Sequence, residues 1–252
     1  GMIDGFAAAF PDEDILIYEP QRQRWSLYFD GSDVGLGSAD LDAFALLRDG
    51  SLLLSIDKTM GNLGGLGPVT DADLLRFQPT ATGQTTEGSF SLYADASDVG
   101  LEAAAEDIDA LAILPDGRLL LSTTGNFTVG QRPNLLRGAS QDLLALTLTQ
   151  TGANTAGTLA LYLDGSDVGL SGPPENVDGL WATARGDLVL SVAIRATAGS
   201  VTFGAADLAR CTPSSLGDTS ACAFDLYWAA AGAELSSQNI DGVDVVVVGS
   251  GS

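Results

Sequence analysis

The sequence lacks histidine, has only two cysteines and is poor in basic residues. Without histidine there can be no Ser-His-Asp or Cys-His catalytic group and no His-ligated metal site. Two cysteines are too few for a Cys₄ zinc site or an iron–sulfur cluster within this chain. Eleven Lys and Arg against 33 Asp and Glu give a net charge of −22. Because nucleic-acid phosphates are bound by basic surfaces, we expect no nucleic-acid partner.

Long apolar runs are also missing. None approaches the roughly 18–20 residues of a membrane-spanning helix, so we expect no membrane insertion. The chain is instead rich in turn-forming residues, with 31 glycines among its 252 residues. Glycine, Asp, Ser and Thr favour turns over helices. The composition therefore predicts an all-β protein, with residues 1–252 forming a single domain.

A ten-residue segment recurs along the chain. The copies are LYFDGSDVGL from Leu27, LYADASDVGL from Leu92, LYLDGSDVGL from Leu161 and a degenerate LYWAAAGAEL from Leu226. Their first residues are 65, 69 and 65 positions apart. Near-identical segments at a steady period are the signature of a repeat architecture.

Each repeat holds three further strand-like elements. An Asp-led apolar stretch begins at Asp42, Asp109, Asp178 and Asp241, and in the first three of these a Gly-containing turn and a second apolar strand follow. A third element, such as DEDILIYEP from Asp12, precedes each decapeptide strand. Four short strands per unit, without helices between units, predict a β-propeller of four blades with four antiparallel strands each.

The expected units are residues 41–101, 108–170 and 177–235, with a further unit assembled from residues 1–36 and 240–248. In this scheme the strand Ile240–Val248 joins the N-terminal strands in one blade and closes the ring. Ile3-Asp4-Gly5 resembles the Asp-led motif, so a partial fifth unit stays open as an alternative. A closed barrel or a stack of repeats would share the same periodicity.

The Asp-led strand, the turn Pro115-Asp116-Gly117 and the fixed period resemble the blades of secreted bacterial β-propeller proteins of the NHL or lactonase-like group. The resemblance covers most of the chain and implies a propeller fold. Lactonase-like propellers hold a metal through acidic and amide side chains at the channel mouth. No residue-by-residue match to that site exists here, so no catalytic residue is transferred.

The loop that ends each decapeptide strand is the first candidate site. It contains Asp30, Ser32 and Asp33, then Asp95, Ser97 and Asp98, then Asp164, Ser166 and Asp167. Clustered oxygen ligands suit Ca²⁺, and Asp40, Glu106, Asp107 and Glu175 could complete its shell. The alternative is that Asp and Ser cap a tight turn through Asx and ST hydrogen bonds.

The second candidate is the recurring inner Asp, at positions 42, 109, 178 and 241. Four carboxylates near one end of a channel would raise each other's pKa values, bind a cation or act as an acid–base pair. Alternatively, each Asp accepts backbone N–H bonds within its own blade.

Cys211 and Cys222 are expected to form a disulfide across a loop of the fourth unit, with two buried thiols as the alternative. A disulfide implies an extracellular, periplasmic or cell-surface location. The sequence therefore predicts a non-catalytic module that binds a protein, glycan or small molecule, with Ca²⁺ as a candidate cofactor. The alternative is a glycosidase- or lactonase-like hydrolase that uses channel carboxylates.

Overall fold

A computed structural model of the chain describes residues 10–130, 135–230, 235 and 238–246. In these ranges the protein is all-β, and its helical segments are limited to short 3-10 turns. No helix within the described ranges is long and apolar enough to cross a membrane. The units are named first to fourth in the order of their decapeptide strands.

The first unit contributes an antiparallel hairpin of β1 (Ile15–Glu19) and β2 (Arg24–Phe29). The second unit is a four-stranded antiparallel sheet in the order β3 (Ala43–Leu46), β4 (Leu52–Ser55), β5 (Leu74–Ala81) and β6 (Glu87–Ala94). Every residue of β4 is buried, because this apolar strand lies inside the sheet and both its faces are covered.

The third and fourth units repeat this sheet and add a small hairpin between their second and third strands. The third unit consists of β7 (Ile108–Ile113), β8 (Leu119–Thr123), the inserted β9 (Phe127–Val129) and β10 (Leu136–Gly138), then β11 (Leu143–Gln150) and β12 (Ala156–Leu163). The fourth consists of β13 (Gly179–Ala182), β14 (Leu188–Ser191), the inserted β15 (Arg195–Ala198) and β16 (Val201–Gly204), then β17 (Leu208–Ser215) and β18 (Ala221–Trp228). The four-strand units are thus confirmed as antiparallel sheets, whereas the inserted hairpins were not predicted.

Three hydrophobic clusters lie between consecutive units. Phe29 of the first unit packs against Phe77 of the second, with ring centroids 5.2 Å apart. A second cluster joins Leu53 and Leu74 to Leu121 and Leu144 of the third unit, and another joins the third to the fourth. The core is therefore built at the junctions between sheets.

The first strands of the three sheets are neighbours, because β3 contacts β7 and β7 contacts β13. Residues 240–246 lie beside both ends of this row. The carbonyl of Ile240 accepts a bond from Ser191 Oγ (2.6 Å), and Asp244 accepts one from the Leu46 backbone N–H (2.7 Å). Gly242 is required here, since a Cβ would lie 2.7 Å from the Phe44 ring.

The predicted strand Ile240–Val248 is wrong for its described part. Residues 240–246 do not form a β-strand, although they lie beside β13 and β3. Residues 247 and 248 lie outside the described ranges, as do Ile3-Asp4-Gly5 and most of the degenerate loop after Ala230.

Candidate functional site

The Asp-Xaa-Ser-Asp loops form tight turns after the decapeptide strands. In each loop, Oδ1 of the first Asp accepts bonds from the N–H and the hydroxyl of the Ser two residues later. The hydroxyl bonds measure 2.7 Å at Asp30, 2.6 Å at Asp95 and 2.6 Å at Asp164. The glycine that ends each turn has a positive φ of 94° to 96°. These contacts are those of an Asx turn.

The second Asp of each loop reaches into the next unit. Its Oδ2 accepts the backbone N–H of a Thr or Ser in the hairpin that joins the two outer strands there: Asp33 with Thr86 (2.8 Å), Asp98 with Thr155 (2.8 Å) and Asp167 with Ser220 (2.9 Å). The hydroxyl of the same Thr or Ser accepts the N–H of the first Asp, at 2.8 to 3.0 Å. We call this reciprocal contact the clasp.

A glycine three residues before the clasp Thr or Ser completes the contact. The N–H groups of Gly83, Gly152 and Gly217 each donate to the carbonyl of the decapeptide Tyr of the preceding unit, at 2.8 Å. All three glycines have a positive φ, between 89° and 98°. The receiving hairpin is therefore a Gly-Xaa-Xaa-Thr/Ser turn, and every clasp runs from one unit to the next along the chain.

These bonds support the turn-forming interpretation of the loop aspartates. Calcium binding at Asp30, Ser32, Asp33 and their equivalents stays a prediction. Two of the four residues proposed to complete such a shell are engaged elsewhere: Glu106 accepts the N–H groups of Glu102, Ala103 and Thr128, and Glu175 accepts that of Ser171. The other two, Asp40 and Asp107, lie with the inner-strand aspartates.

A further repeated carboxylate was not singled out from the sequence. Asp14, Asp73, Asp142 and Asp207 each accept the backbone N–H of the second residue in their own unit's loop, at 2.8 to 3.2 Å. They stand at the third position of the element that precedes each decapeptide strand, so the repeat alignment already contained the signal. This bond occurs in all four units.

The sequences of the fourth unit's loop and of the first unit's turn differ from their counterparts in the other units. Ala229 and Ala230 replace the Asp-Gly or Asp-Ala that opens the loop elsewhere, and the β1–β2 turn, Pro20–Gln23, lacks the Gly-Xaa-Xaa-Thr/Ser pattern. Both halves of the clasp are thus missing together. Leu226 and Tyr227 are correspondingly 45% and 40% exposed, whereas the Leu-Tyr pairs of the other copies are only partly exposed.

The inner-strand aspartates belong to a longer repeated pattern, Asp/Asn-Xaa-Asp. Its four copies are Asp40-Leu41-Asp42, Asp107-Ile108-Asp109, Asn176-Val177-Asp178 and Asn239-Ile240-Asp241. The position two residues before each predicted Asp was not recognised as part of the site. This position is an additional carboxylate, Asp, in the first two copies and a hydrogen-bond donor, Asn, in the last two.

Where the first position is Asn, its amide bridges two units. Asn176 Nδ2 donates to Asp109 Oδ2 of the preceding unit, and Asn239 Nδ2 donates to Asp178 Oδ2 at 2.9 Å. Asp178 is only 4% exposed, and its Oδ1 lies 3.0 Å from Ser191 Oγ. These aspartates are held between units and not, as the alternative predicted, only within their own blade.

Where the first position is Asp, carboxylates of different units repel each other. Beyond the effect of burial, the charge of Asp107 raises the pKa of Asp42, and the charges of Asp12 and Asp241 raise that of Asp40. Asp42 Oδ2 and Asp107 Oδ1 are buried and have no hydrogen-bond partner among the described residues. Asp107 is 8% exposed. The repeat symmetry is therefore broken at this end of the strands.

Nine carboxylates interact there and form what we call the acidic cluster: Asp12, Asp40, Asp42, Asp57, Asp71, Asp107, Asp109, Asp178 and Asp241. Burial, followed by repulsion from neighbouring carboxylates, raises the pKa of Asp42 to about 8 and that of Asp107 to about 7. Burial likewise raises the pKa of Asp178 to about 7 and that of Asp109 to about 6. Among the described residues, the only salt bridge to the cluster joins Lys58 to Asp57 at 3.7 Å.

The disulfide between Cys211 and Cys222 is confirmed, with Cα atoms 5.4 Å apart. Its setting differs from the expected loop, because β17 and β18 extend through most of that segment and the cysteines join two paired strands.

No family model, curated protein or solved structure matches this chain.

Proposed function

We propose that this chain is an extracellular, non-catalytic binding module of the β-propeller type that presents its acidic cluster to a cationic group of a ligand or partner protein. The acidic cluster is the observation that carries the proposal. Nine carboxylates lie close enough to interact, and burial together with their mutual repulsion raises the pKa of Asp40 to about 6, that of Asp107 to about 7 and that of Asp42 to about 8. A bound cation would offset this repulsion.

The propeller arrangement is supported by the order of the inner segments. The strands β3, β7 and β13 are successive neighbours, and residues 240–246 contact both β13 and β3. Four inner segments arranged in this way surround one axis. A set of clasps that all run in the same direction fits blades arranged around that axis.

The graded burial of the acidic cluster suits recognition of a cation. Asp12, Asp57 and Asp241 are exposed, Asp40 and Asp42 are half-buried, and the deepest carboxylates are nearly inaccessible. Exposed charges attract a cationic group over a distance, while partly buried ones bind it more strongly because water screens them less. An extracellular location is supported by the disulfide.

The test is binding of fluorescent decalysine, measured by anisotropy at pH 7.5 and physiological salt, with decaglutamate as the negative probe. We expect Asp12→Asn combined with Asp241→Asn to weaken decalysine binding at least tenfold. The matched control is Glu87→Gln combined with Asp218→Asn, which removes the same charge from exposed positions at the outer hairpins. Equal weakening by both double variants would reduce the interaction to general attraction by net charge and refute the proposal.

A hydrolase is the second candidate, because the break in repeat symmetry creates two inequivalent carboxylates. With a pKa of about 8, Asp42 is protonated at neutral pH and suits a general acid, while Asp109, with a pKa of about 6, is mostly ionised and suits a base or nucleophile. Chromogenic glycosides and lactones assayed from pH 5 to 8 test this function. Turnover that disappears in Asp42→Asn and in Asp109→Asn would replace the binding module with an enzyme.

A further inference from the structure

We propose that a calcium ion binds between the second and third units, with Asp42 and Asp107 as its protein ligands. The inference goes beyond the binding module, because the ion would tie two units together whether or not a partner is bound. It depends on the comparison of one junction with its repeats elsewhere in the same molecule. The Asp-Xaa-Ser-Asp loops take no part in it.

The repeats show what this junction lacks. At the junction between the third and fourth units, the Asn176 amide donates to Asp109, and at the next one the Asn239 amide donates to Asp178. At the junction between the second and third units, the equivalent position is Asp107, and the strand that follows it, β7, contacts β3, the strand that follows Asp42. An acceptor therefore stands where the other junctions have a donor.

The consequence is a pair of orphaned acceptors. Asp42 Oδ2 and Asp107 Oδ1 are both buried and without a hydrogen-bond partner, and Asp107 is only 8% exposed. Asn176 Oδ1, at the next junction, is also buried and unpaired, but it belongs to a neutral amide. A buried, unpaired carboxylate is costly in free energy unless a cation or a proton neutralises it.

The donor chemistry selects the ion. Only oxygen ligands are present in a chain without histidine, which favours hard cations over zinc or copper. Within the described ranges, no three carboxylates already converge as a complete metal shell. Calcium fits this arrangement, because it accepts irregular shells of six to eight oxygens that include water, whereas magnesium demands near-ideal octahedral geometry.

The first measurement is the Tm of protein stripped with EDTA and dialysed, with and without millimolar Ca²⁺. An ion that binds only the folded state raises the Tm, so we expect an increase of several degrees. Calorimetric titration of the same protein should give one strong site per chain. The absence of both signals in the unmodified protein would overturn the proposal.

The decisive variant is Asp107→Asn. It recreates the Asn-Xaa-Asp pattern of the third–fourth junction, so its amide can donate to Asp42. We expect this variant to melt above the unmodified protein in EDTA and to lose the calcium response. Asp40→Asn is the matched control, since it makes the same change at the same repeat position one unit earlier and should keep most of the response.

Two results would count against the site. One is a calcium response in Asp107→Asn equal to that of the unmodified protein. The other is a response abolished only by combined Asn substitutions of Asp33, Asp98 and Asp167, which would assign the ion to the loops. Decalysine binding measured on the same samples separates this inference from the proposed function, because loss of the calcium response leaves the exposed Asp12 and Asp241 unchanged.

Discussion

The carboxylate of Asp98 accepts the backbone N–H of Thr155 at 2.8 Å, across 57 positions of sequence and between two different sheets. The hydroxyl of Thr155 in turn accepts the backbone N–H of Asp95 at 2.8 Å. The same reciprocal pair occurs at two other junctions, at Asp33 and at Asp167. Stability in this protein therefore depends on contacts between units as well as on pairing within them.

Replacing Asp98 with Ala should destabilise the protein measurably. The N–H of Thr155, a residue only 6% exposed, would lose its acceptor. A buried unsatisfied donor costs about 1–3 kcal/mol, which corresponds to a fall of about 2–12 °C in Tm for a domain of this size. Thermal denaturation checks this. Asp98→Asn keeps an acceptor oxygen, so its Tm should fall less than that of Asp98→Ala. A fall in the Tm of Asp98→Ala no larger than that of the exposed Asp218→Ala would refute the role of the clasp.

The outer strand of the fourth unit should exchange its amide protons faster than the equivalent strands. Asp167 of the third unit holds the turn that precedes β18, but the degenerate loop that follows β18 lacks the aspartates of the other loops, and Leu226 and Tyr227 are exposed. Local opening is easier where fewer buried contacts hold a strand. Hydrogen exchange followed by mass spectrometry should show β18 peptides exchanging about tenfold faster than β6 or β12 peptides, equivalent to ~1.4 kcal/mol. Equal protection of all three strands would contradict this.

Removing the disulfide should destabilise mainly the fourth unit. Cys211 and Cys222 join β17 to β18, the hairpin whose outer strand leads into the degenerate loop. A bridge that closes a loop of 11 residues contributes about 2–3 kcal/mol by restricting the unfolded chain. The double variant Cys211→Ala with Cys222→Ala should therefore lower the Tm by about 4–12 °C and further increase exchange in β18. A uniform increase in exchange over all units would argue against a local role.

The metal-free protein should become less stable as the pH rises from 4 to 8. Burial and carboxylate repulsion raise the folded-state pKa of several aspartates, to about 6 for Asp14, Asp40 and Asp109, about 7 for Asp107 and Asp178, and about 8 for Asp42. The folded state thus binds these protons more tightly than the unfolded state. The stabilisation is complete below pH ~4 and is lost as the pH passes the folded-state values.

Thermal melts in EDTA across this range test the sign of the effect. Asp178→Asn removes one of these groups and should flatten the decline up to pH 7, whatever it does to the absolute Tm. Exposed Asp218→Asn should leave the slope unchanged. A Tm that increases with pH in the unmodified protein would show that the folded-state pKa values are not raised.

The repeat pattern was sufficient to predict the sheets of the second, third and fourth units, whereas the described part of the first unit forms only the β1–β2 hairpin. Strands such as β4 and β8 begin and end as the apolar segments SLLLS and RLLLS indicate, because strand pairing and burial act on the same short runs of residues. The inserted hairpins escaped prediction, since β9 and β10 are only three residues long and β15 and β16 only four. Such short strands depend on packing beneath them, for example by Phe127 and Phe203.

The site could be predicted only in part. The inner aspartates were identified by their period, but a period cannot reveal which side chain meets which across a junction. The Asp107 and Asp42 pair became visible only when the Asn176 and Asp109 contact supplied a comparison. Similarly, the loop aspartates suggested a metal because their partners, Thr86 and Thr155, are more than 50 residues away in sequence.

The clasp also bears on how such a chain can grow. The second and third units each have a Gly-Xaa-Xaa-Thr turn that is hydrogen-bonded to the preceding unit. Each also has an Asp-Xaa-Ser-Asp loop that is hydrogen-bonded to the following unit. A segment with both halves can be duplicated in tandem, and the new copy will fit both of its neighbours without any compensating substitution. The first unit lacks the Gly-Xaa-Xaa-Thr/Ser turn and the fourth lacks the Asp-Xaa-Ser-Asp loop, so a tandem copy of either would lack one half of the clasp.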